Sequence, residues 1–274
     1  MPLPEGLWLR VATAAALLAG LLAALLLLEA RQLALLLGVA VALAGHEWGR
    51  LVGLERQGAL GYAALCAALF GLAAAAGFAF PQLHPALFAA SALFWLLLAP
   101  AWLHRGVGAG ARLTLSAAGI VVLVPTGMAV LTLPPDRLLL LLGLVWIADT
   151  AAYFAGRAFG RRLLAPTISP GKTWEGVAGA VAATLIYAII CAVPGAPFAE
   201  RVRDAAWIPY LGGAVLLCAL SIVGDLFESA LKRRAGVKDS GRLLPGHGGI
   251  LDRIDSMTSS LPLAALLLAW LRVA

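Results

Sequence analysis

Long apolar runs, separated by short polar segments, make up most of the chain. Nine of them have a length of about 20 residues, which a helix rising about 1.5 Å per residue needs to cross a hydrocarbon core about 30 Å thick. The second run is the weakest, because His46, Glu47 and Trp48 interrupt it. The pattern therefore predicts nine membrane-spanning helices. They cover about 7–28, 33–52, 59–80, 86–103, 113–133, 138–156, 175–193, 205–228 and 253–273.

The composition agrees with this pattern. Hydrophobic residues make up 62% of the 274 residues and charged residues 12%, and the mean hydropathy is +0.95, whereas soluble domains are about 45–50% apolar. We expect an all-α polytopic membrane protein with one domain, 1–274, in which N-terminal spans (1–133) precede catalytic spans and cytoplasmic loops (138–274). The first run ends in charged residues instead of a cleavage site, so we expect an uncleaved span. Cys66, Cys191 and Cys218 lie in apolar runs and are expected to be free, buried thiols.

Lysine and arginine are distributed unequally between the two sides of these spans. If the N-terminus is cytoplasmic, 15 of the 20 basic residues, Arg10 among them, lie on the cytoplasmic side, and 5 lie outside. Positively charged loops resist translocation. The count predicts a cytoplasmic N-terminus and an outer C-terminus, with basic cytoplasmic loops that attract anionic headgroups and nucleotides. The five outer residues are Arg31, Arg137, Arg201, Arg203 and Arg272.

Seven acidic residues fall near the predicted cytoplasmic ends of spans. A carboxylate at this depth costs a few kcal/mol unless it is paired, binds a metal or faces water, so such residues are candidates for function. The alternative for each is that it only ends its helix in the headgroup zone. The seven are Glu47, Asp149, Glu175, Asp225, Glu228, Asp252 and Asp255.

Asp252 and Asp255 are three residues apart and therefore share a helix face. With Asp225, at the end of the preceding span, they would form an oxygen cluster of the kind that holds Mg²⁺ and leaves positions for substrate phosphates. The alternative, a surface ion pair with Arg253, is weaker because adjacent residues in a helix point in different directions.

The longest polar stretch, 229–256, is expected to join the last two spans as a cytoplasmic loop. Five basic residues lie from Lys232 to Arg242, and glycines surround His247. Such glycines would expose backbone N–H groups to a polyanion, and the basic residues would balance its charge. A lipid-contacting polybasic loop has no need of the glycines or of the neighbouring acids. The combination favours phosphate chemistry.

A second polar block, 169–176, precedes the seventh span on the same side. It is typical of a helix start, because Ser169 can cap a helix and Pro170 suits the first helical position. The N-terminal amides of this helix, beside Lys172, would bind an anion. We reject a Walker A loop, since that motif needs a glycine where Pro166 stands and a preceding strand, which we do not expect here.

The stretch 229–256 resembles the signature of the phosphatidate cytidylyltransferase family, also called CDP-diglyceride synthases. That signature has the form S-x-x-K-R, a gap, K-D-x-G, and then P-G-H-G-G-x-x-D-R-x-D. Weaker similarity covers 149–157, 169–176 and 47–49, so the resemblance extends over most of the chain. The signature positions are Ser229, Lys232, Arg233, Lys238, Asp239, Gly241, 245–249, Asp252, Arg253 and Asp255.

The resemblance implies transfer of a cytidylyl group from CTP to phosphatidate, giving CDP-diacylglycerol and pyrophosphate, in phospholipid biosynthesis at the inner face of the cytoplasmic membrane. It also implies Mg²⁺ as cofactor, with a second metal ion left open, a homodimer in membrane lipid, and no nucleic acid. The chemistry agrees, because a phosphate monoester is already anionic near pH 7 and needs no strong general base. Catalysis would consist mainly of positioning and charge neutralisation.

We assign roles to the candidate residues on this basis. The metal ligands are Asp225, Asp252, Asp255 and Asp149. The residues that clamp phosphates are Lys232, Arg233, Lys238 and Lys172. Hydroxyl contacts to phosphate come from Ser169, Thr173, Ser229 and Ser240. His247 either binds pyrophosphate or is a structural contact, and the site is completed by Asp239, Gly248 and Gly249.

Two other functions remain to be compared. A CDP-alcohol phosphotransferase also uses Mg²⁺ and carboxylates in a membrane, but its D-G-x-x-A-R signature does not occur in this sequence. A cation-coupled transporter would place charged residues near the bilayer midplane on discontinuous helices, whereas here the charges gather on one side. The sequence therefore favours the cytidylyltransferase.

Overall fold

The computed structural model describes residues 7–107, 111–193, 195–198, 202 and 206–270. Within these ranges the chain forms nine helical segments and one short β-hairpin. Arg201, Arg203 and Arg272, which entered the charge count, lie outside these ranges, as does the side chain of Arg10. The helices are α1 (Leu7–Leu27), α2 (Ala30–Leu51), α3 (Arg56–Ala79), α4 (Pro81–Arg105), α5 (Arg112–Thr132), α6 (Pro135–Phe159), α7 (Trp174–Ile190), α8 (Trp207–Arg234) and α9 (Leu251–Trp270).

Each predicted span corresponds to one of these helices, and most ends agree within a few residues. In the described part of the chain, six helices, α2 to α6 and α8, are long and apolar enough to cross a membrane. An all-α polytopic membrane fold fits, apart from the hairpin. The number of nine spans and the orientation of the termini stay predictions. The three cysteines are free and buried, as expected.

Helix α8 continues further along the chain than the hydrophobic pattern predicts. We expected it to end at about residue 228, but α8 continues to Arg234. Ser229, Lys232 and Arg233 therefore lie on its last turns, and the loop between α8 and α9 is reduced to 235–250. Polar residues continue this helix because Lys232 pairs with Glu228 one turn earlier, which supports helix at the i, i+4 spacing.

The block around Ser169 differs from the predicted helix start. It forms a strand, β2 (Ser169–Thr173), which pairs in antiparallel fashion with β1 (Leu163–Ala165). The helix begins four residues later than expected, and Thr173 is its cap, with Oγ1 accepting a hydrogen bond from the amide of Gly176 at 3.1 Å. The prediction of Ser169 as the cap, and of no strand in this region, is wrong because β1 offers the extended backbone a partner.

The rejection of a Walker A loop is unaffected by this strand. Gly171, Lys172 and Thr173 lie within β2 itself, whereas a P-loop places these residues in the turn between a strand and a helix. Pro166 also occupies the position of the first glycine. The hairpin instead leads the chain from α6 to α7 and places Lys172 over the neighbouring helices.

An aromatic cluster joins α8 to the N-terminal helices. Phe227 is fully buried, and its ring lies 5.5 Å from the rings of Phe94 and Trp95 and 6.1 Å from that of Trp102, all on α4. Trp48 of α2 stacks on the same ring at 6.2 Å. Large buried rings contribute much of the packing energy of such a contact. The cluster fixes the end of α8 that carries the polar residues.

A glycine brings α8 and α9 into close contact. A Cβ at Gly224 would lie 2.6 Å from the carbonyl oxygen of Asp255 and still closer to Oγ of Ser259. Ser259 Oγ donates a hydrogen bond to the carbonyl of Leu220 at 2.7 Å, which links the two helices at the same level. Small residues permit such an approach of helices in membranes. As a result, Asp225 lies beside Asp255.

Candidate active site

Three carboxylates from three helices meet at one place. Asp149 of α6, Asp225 of α8 and Asp255 of α9 lie close enough for their negative charges to repel one another. Asp149 is ten residues before the end of α6 and Asp225 nine before the end of α8, or about 15 Å and 14 Å along the axis. These two acids therefore lie well inside their helices, further from the ends than the predicted spans placed them.

Lys172 connects the hairpin to this acidic group. Its Nζ lies 2.6 Å from Oδ2 of Asp225, and both side chains are about a quarter exposed. Ser229, one turn further along α8, donates a hydrogen bond to Oδ1 of Asp225 at 3.3 Å. Residues of the two polar blocks, Lys172 and Ser229, thus meet at Asp225.

A second, more buried group is centred on Lys232. Its Nζ lies 2.5 Å from Oε2 of Glu228 and 2.7 Å from Oδ1 of Asp252, and each carboxylate side chain is only 5% exposed. Two carboxylates therefore compensate the charge of this lysine within the protein. Glu228 was one of the seven candidate acids but was assigned no role in the site, although its spacing of four from Lys232 is a signal for a helical ion pair.

Asp252 holds the loop 235–250 closed. Besides the contact of Oδ1 with Lys232, its Oδ2 accepts hydrogen bonds from the amide and the hydroxyl of Ser240, at 2.8 and 2.9 Å, and from the amide of Gly249 at 2.8 Å. Both oxygens of this predicted metal ligand thus already have protein partners. In this arrangement Asp252 acts as an anchor of the loop.

Glu47 reaches the same loop from α2. Its side chain is buried; Oε1 accepts a hydrogen bond from the amide of Ile250 at 3.0 Å, and Oε2 accepts from the amide of Leu251 at 2.9 Å and from the Ser240 hydroxyl at 3.0 Å. The first turn of a helix has amides without helical partners. Glu47 therefore caps α9 from 204 residues away in the chain.

The glycines of the loop make room for these two carboxylates. A Cβ at Gly241 or at Gly249 would collide with the carboxylate of Glu47, and one at Gly248 would lie 2.6 Å from Oδ2 of Asp252. Gly248 also has a φ of +81°, which favours glycine. We expected the glycines to expose amides to a polyanion, but the amide of Gly249 is bound to Asp252. Their role in the structure is to let the loop close around acids.

The other candidates lie around this network. Arg233 Nε donates a hydrogen bond to the carbonyl of Ile168 at 3.2 Å and so ties α8 to the hairpin. Lys238 and Asp239 are exposed on the loop. His247 is half-buried; its backbone amide donates to the carbonyl of Leu244 at 2.9 Å, and its Nδ1 is buried without a hydrogen-bond partner in the described part of the chain.

Glu175 is the one acid of the seven that serves only the hairpin. It lies on the first turn of α7 and is half-buried, and its Oε2 accepts hydrogen bonds from the amides of Arg161 and Arg162 at 3.0 and 3.2 Å. The sequence could not separate this acid from the others, because it too lies at the end of an apolar run. Glu47 was likewise a candidate acid, because its carboxylate interrupts an otherwise apolar helix, but it was assigned no role in the site.

Whether these residues fit a metal ion depends on the kind of site. Among the described residues, no three His, Cys, Asp or Glu side chains form a ready-made metal cage. Mg²⁺, however, usually binds one or two carboxylates and takes its remaining ligands from water and substrate phosphates. One or two of Asp149, Asp225 and Asp255 would suffice for a Mg²⁺ that arrives with a polyphosphate.

Comparison with known proteins decides the family. The sequence profile described as the Cytidylyltransferase family matches residues 8–271. The chain belongs to this family. The motif resemblance is thereby confirmed, and membership in the cytidylyltransferase family argues against both the transporter and the CDP-alcohol phosphotransferase.

Several relatives in the cytidylyltransferase family are similar over large parts of the chain. The phosphatidate cytidylyltransferase of Pseudomonas aeruginosa is 42% identical over 268 residues, which cover 94% of this chain and 96% of the relative. That of Haemophilus influenzae is 50% identical over 121 residues, or 43% of this chain and 41% of the relative. That of Bacillus subtilis is 45% identical over 128 residues, or 46% of this chain and 44% of the relative.

Proposed function

We propose that the protein transfers the cytidylyl group of CTP to phosphatidate, giving CDP-diacylglycerol and pyrophosphate for phospholipid synthesis. One observation carries the proposal: Lys172 meets Asp225 beside Asp149 and Asp255. A site of mixed charge within a bundle of apolar helices suits a reaction between a lipid phosphate and a nucleotide. The full-length similarity to a phosphatidate cytidylyltransferase supports the same substrates.

The reaction depends more on neutralising the negative charge of its two substrates than on transferring a proton. A phosphate oxygen of phosphatidate attacks the α-phosphorus of CTP, the bond to the bridging oxygen of the β-phosphate breaks, and pyrophosphate leaves. The attacking oxygen is already anionic near pH 7, since its second pKa is about 6. Repulsion between two polyanions is the main obstacle, and cationic side chains lower it. We assign this role to Lys172, Arg233 and Lys238, because Glu228 and Asp252 already compensate the charge of Lys232.

Mg²⁺ is part of this proposal. When bound, it would neutralise charge on the triphosphate and on the leaving pyrophosphate. Asp149, Asp225 and Asp255 would hold it, with a second ion left open. Asp252 remains a predicted fourth ligand, although its oxygens bind Lys232, Ser240 and Gly249 in the structure. Ser169, Thr173 and His247 keep their predicted phosphate contacts as part of the proposal.

We propose the orientation of the protein in the membrane from the distribution of its basic residues. The excess of 15 basic residues over 5 supports a cytoplasmic N-terminus, an outer C-terminus and a site that faces the cytoplasm of a bacterial inner membrane. CTP is supplied from that side. A homodimer and the absence of a nucleic-acid partner complete the proposal.

The test is a reconstituted assay. Purified protein in lipid nanodiscs receives CTP, phosphatidate and Mg²⁺, and pyrophosphate and CDP-diacylglycerol are measured together. We expect one of each per turnover, and loss of turnover when EDTA removes Mg²⁺. Asp225→Asn should lack activity, while Glu175→Gln, at the acid on the first turn of α7 that binds the amides of Arg161 and Arg162, should retain it. Folded protein that forms no CDP-diacylglycerol from these substrates would refute the proposal.

A further inference from the structure

An apolar cavity lies between α6, α7, α8 and α9, at the ends of these helices remote from the acids. Its volume is about 280 Å³, and its walls include Leu144, Leu217 and Ala264. A smaller apolar gap adjoins it on the side of the acids and shares these three residues, adding Val145 and Leu261. This gap is too narrow to hold a water molecule, so packed side chains separate the cavity from the candidate active site, and an alkyl chain reaching the cavity from the acids would have to displace them.

The residues that line the cavity offer an apolar surface suited to a hydrocarbon chain. No charged side chain is among the described lining residues. The two tyrosines there are already satisfied: Tyr187 Oη donates to the carbonyl of Leu140 at 3.0 Å, and Tyr210 Oη donates to that of Ala188 at 2.8 Å. Cavities of this kind stay dry and accept apolar ligands. The ligand class is therefore an alkyl chain.

The distance from the acids matches the reach of a lipid tail. Leu144 is five residues from Asp149 on α6, and Leu217 is eight from Asp225 on α8, which correspond to about 8 Å and 12 Å along the axes. The cavity then continues outwards, away from the acids. A lipid phosphate held near the acids would carry the middle and end of an acyl chain to this depth.

We propose that this cavity receives the distal part of one acyl chain of the lipid substrate and so selects for chain length. The inference rests on the proposed function. Because three of its four walls are the helices that carry Asp149, Asp225 and Asp255, a chain in the cavity would also orient the phosphate relative to these acids.

Two neighbouring glycines of α8 provide a matched pair for the test. Gly213 lines the cavity, and a Cβ there would meet only Cδ1 of Leu267, at 4.0 Å. Gly212 is exposed, and a Cβ there would meet nothing within 4 Å. Gly213→Phe therefore fills the cavity, while Gly212→Phe places the same ring on the outer surface of the same helix.

The measurement is kcat/KM for dioctanoyl and for dipalmitoyl phosphatidate, with CTP and Mg²⁺ in mixed micelles. Gly213→Phe should lower the preference for the long-chain lipid about tenfold or more, since losing even one methylene contact in an apolar pocket has an effect of about 10-fold. Gly212→Phe should leave the ratio at that of the unmodified protein. An unchanged ratio in Gly213→Phe, or an equal shift in both variants, would overturn the assignment.

The measured kcat/KM values distinguish a failure of the proposed function from a failure of the proposed acyl-chain site. If the unmodified protein turns over neither lipid, the proposed function is wrong. If it turns over both and the ratio does not respond to Gly213→Phe, only the chain site is wrong. A changed oligomeric state of Gly213→Phe with an unchanged ratio would assign the cavity to a contact between two copies and overturn the chain site.

A readout that needs no variant keeps the inference testable should Gly213→Phe fail to fold. Phosphatidate with a photoreactive diazirine at the end of one chain is cross-linked to the unmodified protein, and labelled peptides are sequenced. Labels should fall on 207–217 and 264–268, and a diazirine next to the glycerol should not label them. Labels spread over the lipid-facing residues of α3, such as Leu60 and Leu72, would contradict the inference.

Discussion

Removal of the Glu47 carboxylate should open the loop 235–250. Glu47→Ala leaves the amides of Ile250 and Leu251 buried without partners, and each such group costs about 1–3 kcal/mol. The closed loop should lose about 2–6 kcal/mol, of which loss of a helix cap alone accounts for about 0.5–2 kcal/mol. Since about 1.4 kcal/mol changes an equilibrium tenfold, the open state should become at least about 30-fold more populated.

Limited proteolysis measures this opening. Lys238 and Arg242 are exposed trypsin sites within the loop, and cleavage of a transiently opened segment follows its population. Cleavage within 235–250 should accelerate at least about 30-fold in Glu47→Ala. Glu47→Gln should be intermediate, because its carbonyl oxygen accepts at most two of the three hydrogen bonds and its amide faces another donor.

The matched control is Glu55→Ala. Glu55 precedes α3, is exposed and makes no side-chain capping bond, so its removal should leave cleavage and turnover unchanged. Turnover of CTP should fall in the order Glu47→Gln, then Glu47→Ala, because Asp252 loses its position when Ser240 and the loop move. Equal cleavage and equal turnover in Glu47→Ala and Glu55→Ala would show that the carboxylate does not hold the loop.

Three further changes probe the site and its support. Lys172→Met removes the cation beside Asp225 and should lower kcat/KM for CTP about 100-fold, with partial recovery in Lys172→Arg; normal kinetics would exclude this lysine from the site. Gly224→Ala overpacks α8 against α9 and should destabilise by about 1–3 kcal/mol, lowering the Tm by several degrees, whereas Gly212→Ala should not lower it. Asp252→Asn should abolish Mg²⁺-dependent turnover. If excess Mg²⁺ restores turnover, Asp252 is a metal ligand. If turnover is not restored and trypsin cleaves the loop 235–250 faster, Asp252 is an anchor of that loop.

The helices could be predicted from the sequence because an apolar run needs about 20 residues to cross the membrane as a helix. The predicted starts of α2 and α9 lie within three residues of the observed Ala30 and Leu251. Hydropathy does not predict the end of a helix that polar residues continue. The end of α8 was placed at residue 228 because hydropathy stops there, whereas hydrogen bonding and the Glu228–Lys232 pair carry the helix to Arg234.

The site could be predicted in part, for the same physical reason. The residue types indicated phosphate chemistry, and in the structure Lys172 of one polar block and Ser229 of the other both contact Asp225. What the sequence could not reveal is which acid serves which task. Asp252 and Glu47 bind loop amides because α2 happens to end beside α9, and a contact between residues 47 and 251 has no local pattern.

The long-range cap also has a consequence for biosynthesis. Glu47 is synthesised 193 residues before Ser240 and 204 residues before Leu251, two of the residues that donate hydrogen bonds to it. Chains fold from the N-terminus as they are synthesised. During most of its synthesis the bundle therefore carries an acid whose hydrogen bonds do not yet exist. A chain cut short before residue 240 would therefore retain an acid in α2 without these three hydrogen bonds.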